Sequence, residues 1–151
     1  PEMYRYTFPE AIVTDREFHE DEEGYRRKLN WSFLFGLRLD VTIFRCCGSL
    51  SDVPLAAAYI KKINGLRDRY KDHLLYGRFA DEEGFSIDSP DIRAKAYRAE
   101  DGSIAVAAWN IDSHPVSFTL RDESGAETPC RLEGEDVAVY ALGVKGDDPR
   151  T

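Results

Sequence analysis

Two short polar clusters hold most of the side chains able to do chemistry in this 151-residue chain. Thr14-Asp15-Arg16-Glu17 ends and follows the apolar run Ala11 to Thr14, and Phe44-Arg45-Cys46 follows the alternating run Leu39, Val41, Ile43. Asp15 and Glu17 are carboxylates two residues apart, with His19 on the same stretch. Arg16 and Arg45 each carry a guanidinium, whose rigid fork of donors suits a carboxylate. Each group has a bland alternative. Asp15 could cap the segment that follows, and Glu17 and His19 could sit in solvent. The arginines could form ion pairs with the acidic stretch at 20–23.

The remaining reactive types exclude more than they offer. Cys46, Cys47 and Cys130 are odd in number and two are adjacent. A disulfide framework has an even count and spread spacings, so a reduced compartment is expected, with the cytoplasm favoured. No histidine is obviously paired with Cys46, which argues against a nucleophilic thiol. His19, His73 and His114 are scattered, and no metal or other cofactor is expected. The repeated DEEG at 21–24 and 81–84 lacks the spacing of a calcium loop. With 20 Lys+Arg against 28 Asp+Glu the formal charge is -8, a surface that repels phosphate backbones and anionic lipid. Neither nucleic acid nor a membrane is an expected partner, and no apolar run approaches the ~20 residues of a spanning helix. Trp31 is at helical spacing from Phe35 and is expected in the core; Trp109 is expected to plug the second half or its contact with a helix.

The elements that would position these residues fall into two styles. In residues 1–75 a strand over Ala11–Thr14 leads to a helix within Asp21–Gly36, whose acidic start suits the positive end of a helix dipole. A strand ending near Arg45 follows, then a long helix from Val53 to Leu74 with Asp52 as N-cap and Pro54 in its first turn. Leu55, Tyr59, Ile63, Leu66, Tyr70 and Leu74 form its apolar stripe. Strand, helix, strand in this order requires parallel strands. Two parallel strands do not make a stable sheet, because such sheets are buried on both faces. Residues 81–91 read as a connector. Residues 92–143 read as about five short strands separated by turns such as Glu100-Asp101-Gly102, the pattern of an antiparallel sandwich, and 144–151 as a loose tail. The fold class expected is therefore α+β, in two parts. The chain opens at Pro1 without an initiator Met, so it is expected to be part of a longer polypeptide.

The segments YTFPEAIVTDRE, FLFGLRLDVTIFR, VPLAAAYIKKINGLRDRYKDHLLYGRF and IAVAAWNIDSHPVSFTL together resemble the carboxyl-terminal part of bacterial glycoside hydrolases with a (β/α)8 barrel followed by a β-sandwich domain. The resemblance covers most of the chain and is one of pattern. It implies that Ala11–Thr14 and Leu39–Arg45 correspond to the seventh and eighth barrel strands, over residues 1–80, and that the substrate is a carbohydrate. In such barrels functional side chains gather at the carboxyl ends of strands. Asp15 and Glu17 are then candidate catalytic carboxylates, and Arg16, His19 and Arg45 candidate substrate contacts. A whole barrel needs about 250 residues, so the main catalytic acids are expected outside this chain. Residues 1–75 should need the remaining polypeptide, or another chain, to cover them. The alternative is a non-catalytic module in which the sandwich braces a partner domain or binds carbohydrate.

Overall fold

The computed structural model describes residues 2–19 and 24–142, with the side chains of 17–19 outside the description. The expectations for the Glu17 and His19 side chains as site groups therefore lie outside the description, and those for the acidic helix start at 21–23 and the tail at 144–151 lie outside the described residues.

The amino-terminal part contains α1 (Glu2–Thr7), β1 (Thr14–His19), α2 (Tyr25–Leu34), β2 (Arg38–Ile43), α3 (Pro54–Arg69) and α4 (Lys71–Leu74). Strands β1 and β2 run parallel, in register from Thr14↔Arg38 to His19↔Ile43, with α2 as the crossover. The first strand starts three residues later than the apolar run suggests. Val13 instead packs against the helical core, and its carbonyl accepts from the Arg38 N–H at 2.8 Å, just ahead of the ladder. Asp15 and Arg16 consequently lie within the strand, not beyond its carboxyl end.

Helix α2 stops at Leu34 with Phe35 as its C-cap, and Gly36 follows, where φ is +62 and the N–H donates to the Phe33 carbonyl at 3.0 Å. A Cβ here would stand 2.8 Å from the Tyr97 hydroxyl, so glycine serves both the left-handed residue just past the C-cap and the close approach. Pro54 opens α3 as expected, but the N-cap is Val53; Asp52 instead pairs with Ser49 in a capping box on the preceding 3-10 turn. The helix buries Ala56, Tyr59, Ile60 and Ile63, while Leu55, expected in the stripe, is exposed. Leu55 and Ala56 are about 100° apart around the axis, and it is Ala56 that faces the core.

The second part holds β3 (Arg78–Asp81), β4 (Phe85–Ile87), β5 (Ile92–Arg98), β6 (Ile104–Asn110), β7 (Val116–Asp122), β8 (Glu127–Leu132) and β9 (Val137–Leu142). They form two antiparallel sheets, ordered β3-β5-β6-β9 and β4-β7-β8. Strand β4 lies inside the stretch 81–91 expected to be a connector, and β3 ends at its first residue, Asp81. Ile92, Ala94, Ala96, Ile104, Val106 and Ala108 face Phe118, Leu120 and Leu132 of the second sheet. The opposite face of the first sheet, with Phe79, Tyr97, Ala105, Ala107, Trp109, Val137 and Val139, packs on α2 and α3. Strand β6 is buried at every residue because it is covered on both sides.

The result is an α+β fold of three layers: helices, a four-stranded sheet and a three-stranded sheet. The described strands contain one parallel pair and no barrel. The sandwich is welded to the helices through a continuous apolar core, and Trp109 lies in that contact.

Candidate functional site

Alternation along β1 sends Asp15 and Arg16 to opposite faces of the parallel pair. Asp15 turns toward α2, where the Ser32 hydroxyl donates to its Oδ2 at 2.7 Å. Arg16 turns to the other face and meets Asp40, its register partner on β2. Both the Arg16 Nε and Nη2 lie 2.6 Å from Asp40 Oδ2. Arg16 and Asp40 are 63% and 37% exposed, so the pair contributes at most about 1 kcal/mol to stability. Its significance is positional: it puts a carboxylate and a guanidinium side by side on a face that the helices leave open.

A cavity of about 390 Å³ adjoins this pair, lined also by Thr42, Cys46, Ser49 and Leu50. It is bounded by an unusual turn directly after β2. Phe44, Arg45 and Cys46 have φ of 44, 56 and 69, three consecutive left-handed residues with side chains. Each such conformation costs roughly 1–2 kcal/mol, so the surrounding contacts must hold the turn in place. Gly48 follows, and a Cβ there would collide with the Phe44 ring and the Ile43 side chain. Arg45 is exposed on the turn and does not line the cavity.

The structure thus brings together Arg16 and Asp40, and separates Asp15 from them. Asp40 was visible in the sequence only as a polar residue alternating with Leu39 and Val41; nothing local marks it as the partner of a residue 24 positions earlier. Asp15 and Asp40 occupy opposite faces, so this sheet does not present the two of them across one bond. Among the described residues, no group of three or more His, Cys, Asp or Glu side chains converges as a metal site. No described helix is long and apolar enough to cross a membrane.

The aromatic candidates separate by layer. Tyr97 and Trp109 are buried against the helices, and Tyr140 is half-buried between the sheets with its ring 5.9 Å from Phe118. Trp31, expected in the core, is instead 37% exposed, with only one side on Phe35 at a centroid distance of 4.7 Å. Spacing placed it on the right helix but not on the helix's outer edge, where the core layer ends.

The junction between the two parts is polar as well as apolar. The Tyr59 hydroxyl donates to Asn30 Oδ1 at 2.6 Å and lies 3.1 Å from Asp136 Oδ1. Burial first, and then the charge of Asp136, push the Tyr59 phenol above its ordinary pKa, so it remains a neutral donor. Asn30 Nδ2 donates to the Glu135 carbonyl at 2.9 Å, and Arg27 Nε to the Glu135 carboxylate at 2.8 Å. Lys62 pairs with Asp136. The β8–β9 turn is thereby pinned to α2 and α3. Arg67 Nη2 donates to the Leu37 carbonyl at 2.6 Å, and burial lowers its pKa. No protein-family model, curated protein or solved structure matches this chain.

Proposed function

We propose that this chain is the terminal portion of a glycosidase-like, carbohydrate-active protein whose main catalytic carboxylates lie outside it, and that the sandwich braces the strand–helix part. One observation carries the reading. Eleven large apolar side chains are exposed among the described residues, and nine of them, from Met3 to Leu55, lie in the strand–helix part. Leu75 and Tyr76 follow at its end, and none falls between residues 78 and 142. This concentration of exposed apolar side chains in one part of the chain supports a surface that is covered in the whole protein. The parallel pair points the same way, since sheets of this type are normally covered on both faces. The cover on this reading is further polypeptide of the same protein or another chain, and the open face carrying Arg16 and Asp40 borders the carbohydrate site.

The experiment is to assay the full-length protein on a panel of nitrophenyl glycosides, alongside Asp15→Asn, Glu17→Gln and Asp40→Asn. Hydrolysis of at least one glycoside is expected. Failure on the whole panel removes the enzymatic reading. Hydrolysis with all three variants unimpaired makes these acids bystanders.

A second reading, a non-catalytic brace, is favoured by the junction itself, where the Tyr59–Asn30–Asp136 contacts fix the sandwich to the helices. Carbohydrate binding by the outer sandwich surface has less support, because no large apolar side chain is exposed there among the described residues.

A further inference from the structure

Between the outer edge of α2 and strands β4 and β5 lies a groove of about 480 Å³, on the side of the molecule where helices and sandwich meet. Its wall is the exposed Trp31, tilted 60° on the buried Phe35. Opposite stand Phe85 and Pro90, and the rim is polar, with Glu82, Ser86 and Arg93. At its base Lys95, only 5% exposed, binds Asp81 at 2.6 Å, Glu82 at 2.9 Å and Glu2 at 3.2 Å.

The charge pattern selects the ligand class. The lining carries two carboxylates, Glu2 and Glu82, against Lys95 and Arg93, and Lys95 is already neutralised by its ion pairs, so the groove offers no surplus of positive charge to a phosphate or other anion. An organic cation is disfavoured for a different reason: the position over the Phe35 ring is taken by the Lys95 ammonium, 5.8 Å from its centroid. What remains is a neutral molecule with an apolar face to lie on an indole and hydroxyls to meet a carboxylate, a serine and a guanidinium. The volume lies within the range of small-molecule sites, and such sites favour junctions between structural units.

We propose that this groove is a saccharide-binding subsite, with Trp31 as its stacking platform and Glu82 and Arg93 as hydroxyl contacts. The assignment rests on the carbohydrate reading above and adds a second place of contact, separate from Arg16 and Asp40. The Lys95 ion pairs hold the Glu82 carboxylate in position before a ligand arrives, which reduces the ordering cost of binding.

The two tryptophans make the test simple, because Trp109 is only 8% exposed and Trp31 is the accessible one. The chain is titrated with cellobiose, xylobiose, maltose, lactose and mannobiose while tryptophan emission and acrylamide quenching are recorded. At least one disaccharide is expected to shift the emission and shield it from the quencher, and Trp109→Phe should keep that response. Trp31→Ala removes the reporter, so its binding is read by isothermal titration calorimetry, where it should weaken at least about tenfold, the scale of losing an aromatic anchor. Arg93→Ala, at an exposed position that leaves the core untouched, should weaken it several-fold. No response from any disaccharide, or a response that survives both Trp31→Ala and Arg93→Ala, overturns the proposal. Binding here with no hydrolysis by the full-length protein would remove the enzymatic reading and leave the subsite. Hydrolysis with a silent Trp31 would do the reverse.

Discussion

Replacing Tyr59 by Phe isolates the polar lock between the two parts. The ring keeps its packing, including the Arg26 guanidinium 5.2 Å from its centroid and the edge contact with Tyr25. Only the hydroxyl is lost. Asp136 retains Lys62 and the Val137 N–H, at 2.9 Å, as donors. Asn30 is fully buried, and its Oδ1 loses the donor at 2.6 Å. Stranding a buried acceptor costs about 1–3 kcal/mol, and a domain of this size loses about 2–4 °C in Tm per kcal/mol. Lys62→Met is the comparison, because its ammonium side is 42% exposed and such a pair contributes about 0–1 kcal/mol. The assay is urea unfolding of Trp31→Phe and Trp109→Phe backgrounds, in which the remaining indole reports on the helices or on the sandwich. Both reporters should show one shared transition, moved to lower urea by Tyr59→Phe. A neutral Tyr59→Phe, or two transitions at different urea concentrations, would refute the reasoning that the helices and the sandwich form one cooperative unit.

Two further outcomes follow from local geometry. Gly36→Ala should lower stability by about 1–2 kcal/mol from the left-handed backbone alone, and by more because Tyr97 must give up its 2.9 Å bond to the Leu34 carbonyl; a thermal melt measures this, and a neutral variant contradicts it. Acid should weaken the turns and connections between the strands. The Thr119 N–H holds the Asp88 carboxyl below its ordinary pKa, the Ser103 hydroxyl does so for Asp101, the His114 N–H for Asp112 and the Ser124 hydroxyl for Asp122. A depressed folded pKa adds stability that is present above the unfolded value, about 4, and is lost as pH falls through the lower folded value. Tm should therefore drop between pH 4 and 2, and Asp122→Ala should flatten that drop; a Tm unchanged across this range contradicts the account.

What could be read in the sequence follows the range of the interaction. Strands β5, β6 and β7 and the hairpin at Glu100-Asp101-Gly102 were legible because alternation and turn residues are local signals. The helix from Pro54 was legible for the same reason, although Tyr70, with φ -109 and ψ 32, breaks it into α3 and α4. Strands β3 and β4, of four and three residues, are too short to show a period, and the six-residue α1 likewise. The position of β1 was misplaced by three residues because the apolar run Ala11 to Val13 outweighs the polar TDREFH in any local reading. Pairing with β2 decides the register instead, through contacts more than twenty residues apart. The same non-locality hid the Arg16–Asp40 pair. It hid the exposure of Trp31 too, since helical spacing defines a face but not where the layer covering it stops.

The central claim is that the strand–helix part carries an apolar surface made to be covered. The direct measurement is light scattering on the 151-residue chain, beside a variant with Met3, Phe8 and Ile12 changed to Gln. These three are 84%, 47% and 72% exposed, so the substitutions leave the buried core intact. The account predicts a mass above the 17.2 kDa monomer for the unmodified chain, and a shift toward monomer in the variant. A clean 17.2 kDa monomer of the unmodified chain that binds no apolar dye would contradict it.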